Sequence, residues 1–149
     1  EKFLSSQLLG EEGTMNEQQM NQLKSLPFPI FCYFGGDDLS VSKVEVDHSL
    51  PEMSTYVITY TNGLGGEIKV YGCNGGVGDI PKGDHQVSFS SFLYGSGTAE
   101  VYPANSEEKV DWRTQWLDSW RKGSFYGFSG KGLGENYIKK IAEGLVELE

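Results

Sequence analysis

The sequence predicts an α+β fold, in which an antiparallel sheet of five to seven strands packs in two layers against an N-terminal and a C-terminal helix. Three observations support this prediction. Glycine supplies 20 of the 149 residues, about twice its usual share of ~7%, and most glycines separate short segments that favour β-structure. The connections are too short for the crossovers that parallel strands require. Amphipathic helical patterns occur near both ends of the chain.

The length and composition predict a single domain over 1–149. Hydrophobic residues make up 38% of the chain and aromatic residues 13%, which is enough for a core. Residues 148–149 are expected to be the remnant of a C-terminal tag, and a leader is expected upstream of Glu1. The domain divides into a helical N-terminal segment, the sheet and a C-terminal helix, over 1–26, 28–129 and 133–147 respectively.

The helix of the N-terminal segment is predicted to begin near Asn16. Asn16, with Gln19 three residues later, has the pattern of a capping box, in which each side chain bonds the other residue's backbone N–H. Thr14 with Glu17 fits the same pattern equally well. Pro27 ends the helix, because a proline lacks the N–H that the helical hydrogen bond needs.

Segments typical of β-strands fill the region between the helices. Residues 28–34 are a continuous apolar run, which predicts a strand buried on both faces. The β-branched and aromatic segment 55–61 is joined to 67–73 by a turn that opens with Asn-Gly, so these two segments predict a hairpin. Further strands are predicted over 41–46, 86–94, 98–102 and 124–128.

Residues 107–121 fit either a helix or a strand. Trp112, Trp116 and Trp120 recur every four residues, as on one face of a helix, yet the same three residues also share one face of a strand. A tight Lys-Gly turn, followed by the aromatic segment 124–128, favours the strand.

The C-terminal helix has the clearest amphipathic pattern in the chain. Apolar residues recur along one side at helical spacing, and lysines and glutamates occupy the opposite side. Such a helix can cover one face of a sheet, which gives the two-layer arrangement. The apolar residues are Tyr137, Ile138, Ile141, Ala142, Leu145 and Val146.

Charge and motif content exclude several function classes. The net charge is −9 and the pI is near 4.7, whereas nucleic-acid binding needs clustered lysine and arginine. No apolar run approaches the ~20 residues that cross a bilayer. Nucleotide-binding motifs are incomplete and no residues have the spacing of a zinc site, so neither a cofactor nor a metal is expected.

The two cysteines, Cys32 and Cys73, leave two alternatives open. In an exported protein they could form a disulfide across the 40 residues between them, which would stabilise the fold by roughly 4 kcal/mol. The alternative is a pair of buried, reduced thiols, because free cysteines are commonly buried.

Other residues capable of chemistry are dispersed along the sequence. His48 and His85 each follow an aspartate, and we expect both to be surface histidines. The acidic residues within 37–52 lack the spacing of a calcium-binding loop, so we expect solvated turns there. Asp111 and Asp118 flank the first tryptophans and are the pair that a glycosidase-like hydrolase would use.

The main site hypothesis is an exposed aromatic platform in the C-terminal third of the chain. If 107–121 is a strand, its tryptophans form a ladder on one face, and exposed aromatic patches bind sugars or peptides. The alternative is that this ladder packs beneath the C-terminal helix. The candidate platform residues are Trp112, Trp116, Trp120, Tyr126 and Phe128.

The C-terminal third also resembles a known bacterial domain of unknown function. That domain occurs in the extracytoplasmic part of Gram-positive lipoproteins and of membrane-anchored sporulation or anti-sigma proteins. The residues that carry the resemblance are Trp116 to Gly130, Tyr137 to Val146, and the hairpin strand 55–61. The resemblance implies export, an anchor outside this chain and a sensing or protein-contact role, and it implies no catalytic residues.

These observations lead to three function hypotheses. The first is a non-enzymatic extracytoplasmic domain of a bacterial lipoprotein or membrane-anchored protein, which binds a protein partner or a cell-envelope ligand. The second is a small acidic inhibitor or immunity-type protein that binds a basic partner through its negative surface. The third is a hydrolase with dispersed carboxylates.

Overall fold

A computed structural model describes residues 15–33, 38–50, 53–75, 80–91, 95–118 and 124–148. The first 14 residues, where the sequence predicts part of the helical segment, lie outside these ranges. In chain order the elements are α1 (Glu17–Lys24), β1 (Phe31–Tyr33), β2 (Ser40–Leu50), β3 (Met53–Thr61), β4 (Glu67–Cys73), β5 (His85–Ser91), β6 (Gly95–Val101), β7 (Trp112–Asp118), β8 (Ser124–Lys131), α2 (Asn136–Gly144) and β9 (Leu145–Glu147).

Within the described residues, seven strands form one antiparallel sheet in the order β2-β3-β4-β8-β7-β6-β5. This order consists of two meanders, β2-β3-β4 and β5-β6-β7-β8, which join where β4 pairs with β8. The predicted antiparallel sheet is therefore confirmed. The predicted hairpin is also confirmed, with Thr61 opposite Glu67 beside the turn.

The sheet prediction is wrong for the apolar run 28–34. Of its described residues, 28–33, only Phe31–Tyr33 form a strand, and this strand pairs with β9 in a separate two-stranded sheet. The three residues of β1 are buried, as predicted for this run. The burial of β1 thus comes from packing in the layer against the large sheet, with β9 as its hydrogen-bonded neighbour, and not from a place inside the large sheet.

The C-terminal helix is shorter than the sequence predicts. α2 ends at Gly144, and the next three residues form β9, whose ladder with β1 replaces the last helical turn. Leu148, which was expected to lie outside the fold, is buried and its N–H donates to the carbonyl of Ile30 at 2.8 Å. The apolar periodicity through Val146 is therefore shared between a helix and a strand.

The layer that covers the sheet is only partly helical. The helices α1 and α2 have eight and nine residues, and the segment 28–33 and Leu145 belong to the same buried core. The chain is therefore mainly β, and it differs from the helix-covered two-layer domain predicted from the sequence.

Neither helix in the described part of the chain has the length and hydropathy of a membrane-spanning segment.

The start of α1 follows the predicted capping box. Asn16 Oδ1 accepts a hydrogen bond from the N–H of Gln19 at 2.8 Å, and Gln19 Oε1 accepts one from the N–H of Asn16 at 3.0 Å. The frame that begins at Asn16 is therefore the one used. Met20 and Leu23 turn the apolar side of this helix into the core.

One face of the sheet, here called the inner face, carries most of the core. Cross-strand neighbours place Tyr56, Gly72, Tyr126 and Trp116 in one row across β3, β4, β8 and β7. A Cβ atom at Gly72 would lie 2.4 Å from the Tyr56 ring and 2.8 Å from the Tyr126 ring. The absence of a side chain at Gly72 therefore allows the two tyrosine rings to occupy this row.

Buried tyrosine hydroxyls hold the segment 29–33 against the inner face. Burial raises the pKa of Tyr56 and of Tyr60 well above its usual value, so both remain neutral hydrogen-bonding groups. Each hydrogen bond satisfies a backbone N–H or carbonyl group of this segment that has no partner in the strand ladders. The bonds join Tyr56 to the N–H and carbonyl of Phe31, Tyr60 to the N–H of Tyr33, and Tyr126 to the carbonyl of Pro29.

Candidate functional site

The structure places most of the predicted aromatic platform in the core. Trp112, Tyr126 and Phe128 are at most 1% exposed, so the prediction of an exposed platform is wrong for these three residues. The strand prediction for this region is confirmed over Trp112–Asp118. Strand geometry puts Trp112 and Trp116 on the same face, as expected, but that face is the inner one.

Trp112 has a structural role, because its indole N–H makes a hydrogen bond within the fold. Its Nε1–H donates to the carbonyl of Leu133 at 3.0 Å, just before α2 begins. Its ring meets Phe128 edge-on, with 6.0 Å between ring centroids. Trp112 therefore connects the sheet to the chain that enters the C-terminal helix.

Trp116 is the partly buried member of the set. Its ring stacks on Tyr126 with 5.8 Å between centroids, and it also packs near Phe31 and Phe128. Trp116 therefore lies at the edge of the hydrophobic core. Trp120 lies outside the described residues.

Cys32 and Cys73 are both buried free thiols in this structure, so the disulfide alternative is not realised here. Burial raises the pKa of Cys32 to about 12, which keeps its thiol protonated and unreactive. The Cys73 sulfur accepts a hydrogen bond from the N–H of Gly75 at 3.3 Å. Cys32 belongs to β1 in the covering layer and Cys73 ends β4 in the large sheet, and each thiol sits in its own packed surroundings.

The two histidines lie in different settings. His85 is half-exposed, and its Nε2 lies 2.8 Å from a carboxylate oxygen of Glu135, while its Nδ1 lies 3.4 Å from Asp84. Hydrogen bonds to these carboxylates raise the pKa of His85, and the bond to Glu135 makes the largest contribution. His48 is exposed and its Nδ1 lies 3.4 Å from the Ser54 hydroxyl.

Two of the carboxylates considered for calcium or hydrolysis, those of Asp38 and Asp111, make internal contacts, whereas the side chain of Asp118 lies outside the described part of the chain. Asp38 accepts hydrogen bonds from Tyr137 at 2.6 Å and from Lys140 at 2.9 Å, and these bonds lower the pKa of its carboxyl. Asp111 accepts from the N–H of Gly132 at 2.7 Å. In the described ranges no group of three or more acidic, histidine or cysteine side chains could hold a metal ion.

The opposite face of the sheet, here called the outer face, holds a groove that the sequence analysis did not find. The loop 103–111 forms one wall, and β4, β8 and β7 form the floor and the other wall. Its larger half, the arginine half, is about 410 Å³ and is lined by Tyr71, Glu107, Glu108, Lys109, Val110, Arg113 and Ser129. Its smaller half, the lysine half, is about 200 Å³ and is lined by Glu67, Lys69, Lys109, Val110, Ser129 and Lys131.

Strand register builds the floor of this outer groove. Lys69 on β4, Ser129 on β8 and Arg113 on β7 are direct cross-strand neighbours, so they form one row on the outer face. The next row pairs Tyr71 with Gly127. A Cβ atom at Gly127 would lie 2.7 Å from the Tyr71 ring and 2.5 Å from a backbone oxygen, so the missing side chain lets the ring lie flat along the floor.

Existing contacts occupy the polar groups of the arginine half. Arg113 lies 3.7 Å from Glu108 of the wall, and it also bonds Tyr71. Burial raises the pKa of Tyr71, and the bond and the charge of Arg113 oppose that rise. The Tyr71 hydroxyl also donates to the backbone carbonyl of Thr114, at 3.4 Å. This half is therefore already organised before any ligand arrives.

The lysine half is different, because its cations form no ion pair with the described residues. Among the residues that the structure describes, no carboxylate lies within 4.0 Å of the amino groups of Lys69, Lys109 or Lys131. Elsewhere Lys43 lies 3.5 Å from Glu45 and Lys140 lies 2.9 Å from Asp38. Three unpaired lysines therefore border one small hollow on a chain of net charge −9.

Sequence reasoning missed this groove because its residues come from three separated segments, within 67–71, 107–113 and 129–131. One usable signal was present: β4 alternates between apolar inner residues and polar outer residues, such as Lys69. That alternation identifies the outer face, but the pairing of β4 with β8 across more than fifty residues cannot be read from it. The position of the loop 103–111 over the sheet was equally hidden.

Comparison of the chain with models of protein families, with curated proteins and with solved structures finds no match.

Proposed function

We propose that this protein is a non-enzymatic binding domain and that the outer groove is its ligand site. The observation that carries the proposal is the groove itself, whose two halves meet over Ser129 beneath Lys109 and Val110. Its larger half falls within the ~300–1,000 Å³ typical of ligand sites. The ligand would rest on three strands of the sheet and be enclosed by one loop.

The construction of the groove suits binding. Its floor lies on paired strands, and sites on such elements hold their side chains more precisely than sites on loops alone. The wall comes from the 103–111 loop, which is fixed at its end because the N–H of Asp111 donates to the carbonyl of Gly130 at 2.7 Å. The groove is therefore largely formed in advance, which lowers the ordering cost of binding.

The lining residues favour recognition of charge over covalent chemistry. Lysine and arginine donate hydrogen bonds to anions, and Tyr71 and Val110 offer apolar surface. The Ser129 hydroxyl would need a general base to act as a nucleophile, and the two histidines in the described part of the chain contact other regions, at Ser54 and Glu135.

We place this domain outside the bacterial cytoplasm, attached to the membrane through an anchor outside this chain. This location rests on the resemblance of the C-terminal third to extracytoplasmic domains of lipoproteins and anchored proteins. The buried Cys32 thiol is compatible with it, because a thiol with no exposed surface and a raised pKa reacts slowly with oxidants.

A titration followed by ¹H–¹⁵N NMR tests the binding function. Four probes of different chemistry are added separately: a hexaglutamate peptide, a hexalysine peptide, inorganic pyrophosphate and a neutral chitotetraose. We expect at least one probe to shift the amide signals of Lys69, Arg113 and Ser129 in a saturable way. If all four probes leave these signals unmoved, the proposed function is wrong.

A blocking variant assigns any observed binding to the groove. Ser129→Leu places a larger side chain on the floor between the two halves, and binding should be lost. Ser88→Leu is the matched control, because Ser88 is an exposed residue of the edge strand β5. Equal binding by both variants would place the site elsewhere and overturn the proposal.

A further inference from the structure

We propose that the ligand of the outer groove is an acidic segment of a protein partner, with carboxylates that enter the lysine half and an adjacent apolar side chain that packs on Leu64. This inference rests on the proposed function, since it names the ligand class of the same site. Two independent features support it, the unpaired lysines and an exposed leucine at the same end of the sheet.

The lysine half selects an anion. Lys69, Lys109 and Lys131 surround a hollow whose lining includes one carboxylate, that of Glu67. Lysine amino groups donate up to three hydrogen bonds each, and carboxylates, like phosphates, accept such bonds with the added attraction of opposite charge. A ligand carboxylate would therefore complete an ion pair that these lysines lack in the described part of the chain.

The net charge of the protein limits what kind of anion can approach. At physiological ionic strength charges are screened beyond ~8 Å, so a short acidic segment responds mainly to the three lysines nearby. A long polyanion such as a nucleic acid would also extend over the rest of a chain of net charge −9. The charge distribution therefore favours a short local run of carboxylates.

Leu64 supplies the second feature. Its side chain is 89% exposed at the tip of the β3–β4 turn, and it is the one large apolar side chain that is exposed in the described part of the chain. Asn62 Oδ1 accepts hydrogen bonds from the N–H of Leu64 at 2.8 Å and of Gly66 at 2.9 Å. The turn is thus braced by its own side chain and holds Leu64 out from the sheet.

The turn and the lysine half are neighbours. Glu67, which lines the lysine half, lies three residues after Leu64 and pairs across the strands with Lys131. The position of a Cβ atom at Gly132, just beyond Lys131, would be only 2.9 Å from the carbonyl oxygen of Gly65. The turn that carries Leu64 therefore adjoins the chain just beyond Lys131, and we expect an apolar residue next to the ligand's carboxylates to reach that leucine.

The shape of the site favours a peptide over a membrane surface. The lysine half is a hollow between strands and the loop residues Lys109 and Val110, and only a ligand that protrudes can enter it. A bilayer presents a broad, nearly flat charged surface, which would contact the rim of the hollow. A peptide side chain has the size and the reach to fill it.

Fluorescence anisotropy with three labelled peptides tests this inference. The probe repeats Glu-Glu-Leu twice, one control replaces each glutamate by glutamine, and the other replaces each leucine by alanine. We expect saturable binding of the probe, roughly tenfold or greater loss with the glutamine peptide, and a smaller loss with the alanine peptide. Binding that weakens with added salt supports the charge contribution.

Variants assign the contacts. Lys69→Glu combined with Lys131→Glu should reduce probe affinity by roughly tenfold or more, and Leu64→Ser should reduce it by a smaller factor. The control combines Lys24→Glu with Lys139→Glu, two exposed helix lysines that do not line the groove, and makes the same change in net charge. If both double variants weaken binding equally, only overall charge matters and the inference is wrong.

Further outcomes separate this inference from the proposed function. If the acidic probe fails to bind while chitotetraose or pyrophosphate still shifts the groove amides, the ligand class is wrong and the binding function stands. If no probe reaches the groove, both fail. Lysine-dependent binding to vesicles of phosphatidylglycerol, without binding to the peptide, would replace the protein partner by a membrane and overturn the inference.

Discussion

Trp112 and Arg113 are adjacent in β7, yet their side chains lie on opposite faces of the sheet and in opposite surroundings. Trp112 is 1% exposed and donates its one hydrogen bond to Leu133. Arg113 remains partly exposed and reaches Glu108 across the groove. The inner face is closed by packing and by hydrogen bonds such as those of Trp112 and Tyr56, whereas the outer face keeps charged groups accessible. Stability should therefore depend on the inner face and binding on the outer face.

The largest contrast is expected from substitutions of these two neighbours. Trp112→Ala removes a buried ring and leaves the Leu133 carbonyl without its donor, so the free energy of unfolding should fall by about 3–5 kcal/mol. Arg113→Ala removes a partly exposed ion pair and should lower it by about 1 kcal/mol or less. Urea unfolding of both variants, followed by tryptophan fluorescence and circular dichroism, measures the difference. Similar losses would show that the faces do not divide these tasks.

A smaller contrast is expected between tyrosine hydroxyls on the two faces. Tyr56→Phe leaves the N–H and the carbonyl of buried Phe31 without their partner, which should cost about 1–3 kcal/mol of unfolding free energy. Tyr71→Phe loses a long bond of 3.4 Å to Thr114 and the bond with the partly exposed Arg113, and its cost should stay near or below about 1 kcal/mol. The shift in the urea midpoint of each variant gives its change in unfolding free energy, provided that the slope of free energy against urea concentration is unchanged. A larger effect from Tyr71→Phe would contradict the proposed division.

The sequence was a good guide to local structure and a poor guide to long-range pairing. The Asn16 cap, the 55–61 hairpin and the strand at Trp112 follow from spacing and turn chemistry within a few residues. The ladder between β1 and β9 joins residues more than a hundred positions apart. Because such a pairing has no local signature, the sequence extended the C-terminal helix through Val146.

The site was harder to predict than the fold for a related physical reason. Aromatic residues are conspicuous in a sequence, but the same rings serve either a core or a platform, and only burial distinguishes the two. Trp112 and Phe128 belong to the core. The lysines of the groove are unremarkable one by one, and it is the register of β4 against β8, together with the loop that carries Lys109, that brings them together.

The smallest effect is expected where the covering layer meets the sheet through exposed charges. His85 at the start of β5 contacts Glu135 beside α2, and hydrogen bonds to Glu135 and Asp84 raise its pKa above the ordinary 6.5. Since the pKa is higher in the folded state, this contact contributes stability below pH ~6.5. The contribution is lost as the pH rises through the folded-state pKa.

Replacing either partner should remove this pH dependence. The unfolding free energy of the unmodified protein should exceed that of His85→Gln at pH 5.5, and the difference should shrink toward pH 9, because the imidazole loses its charge in both states there. Glu135→Gln should flatten the profile in the same way, since Glu135 is the main cause of the shift. Urea unfolding at five pH values measures all three profiles. Both groups are about half-exposed, so the effect on the unfolding free energy should be smaller than that of Tyr56→Phe. If the difference between the unmodified protein and His85→Gln grew with pH, the fold would stabilise the neutral form of His85 and the prediction would be wrong.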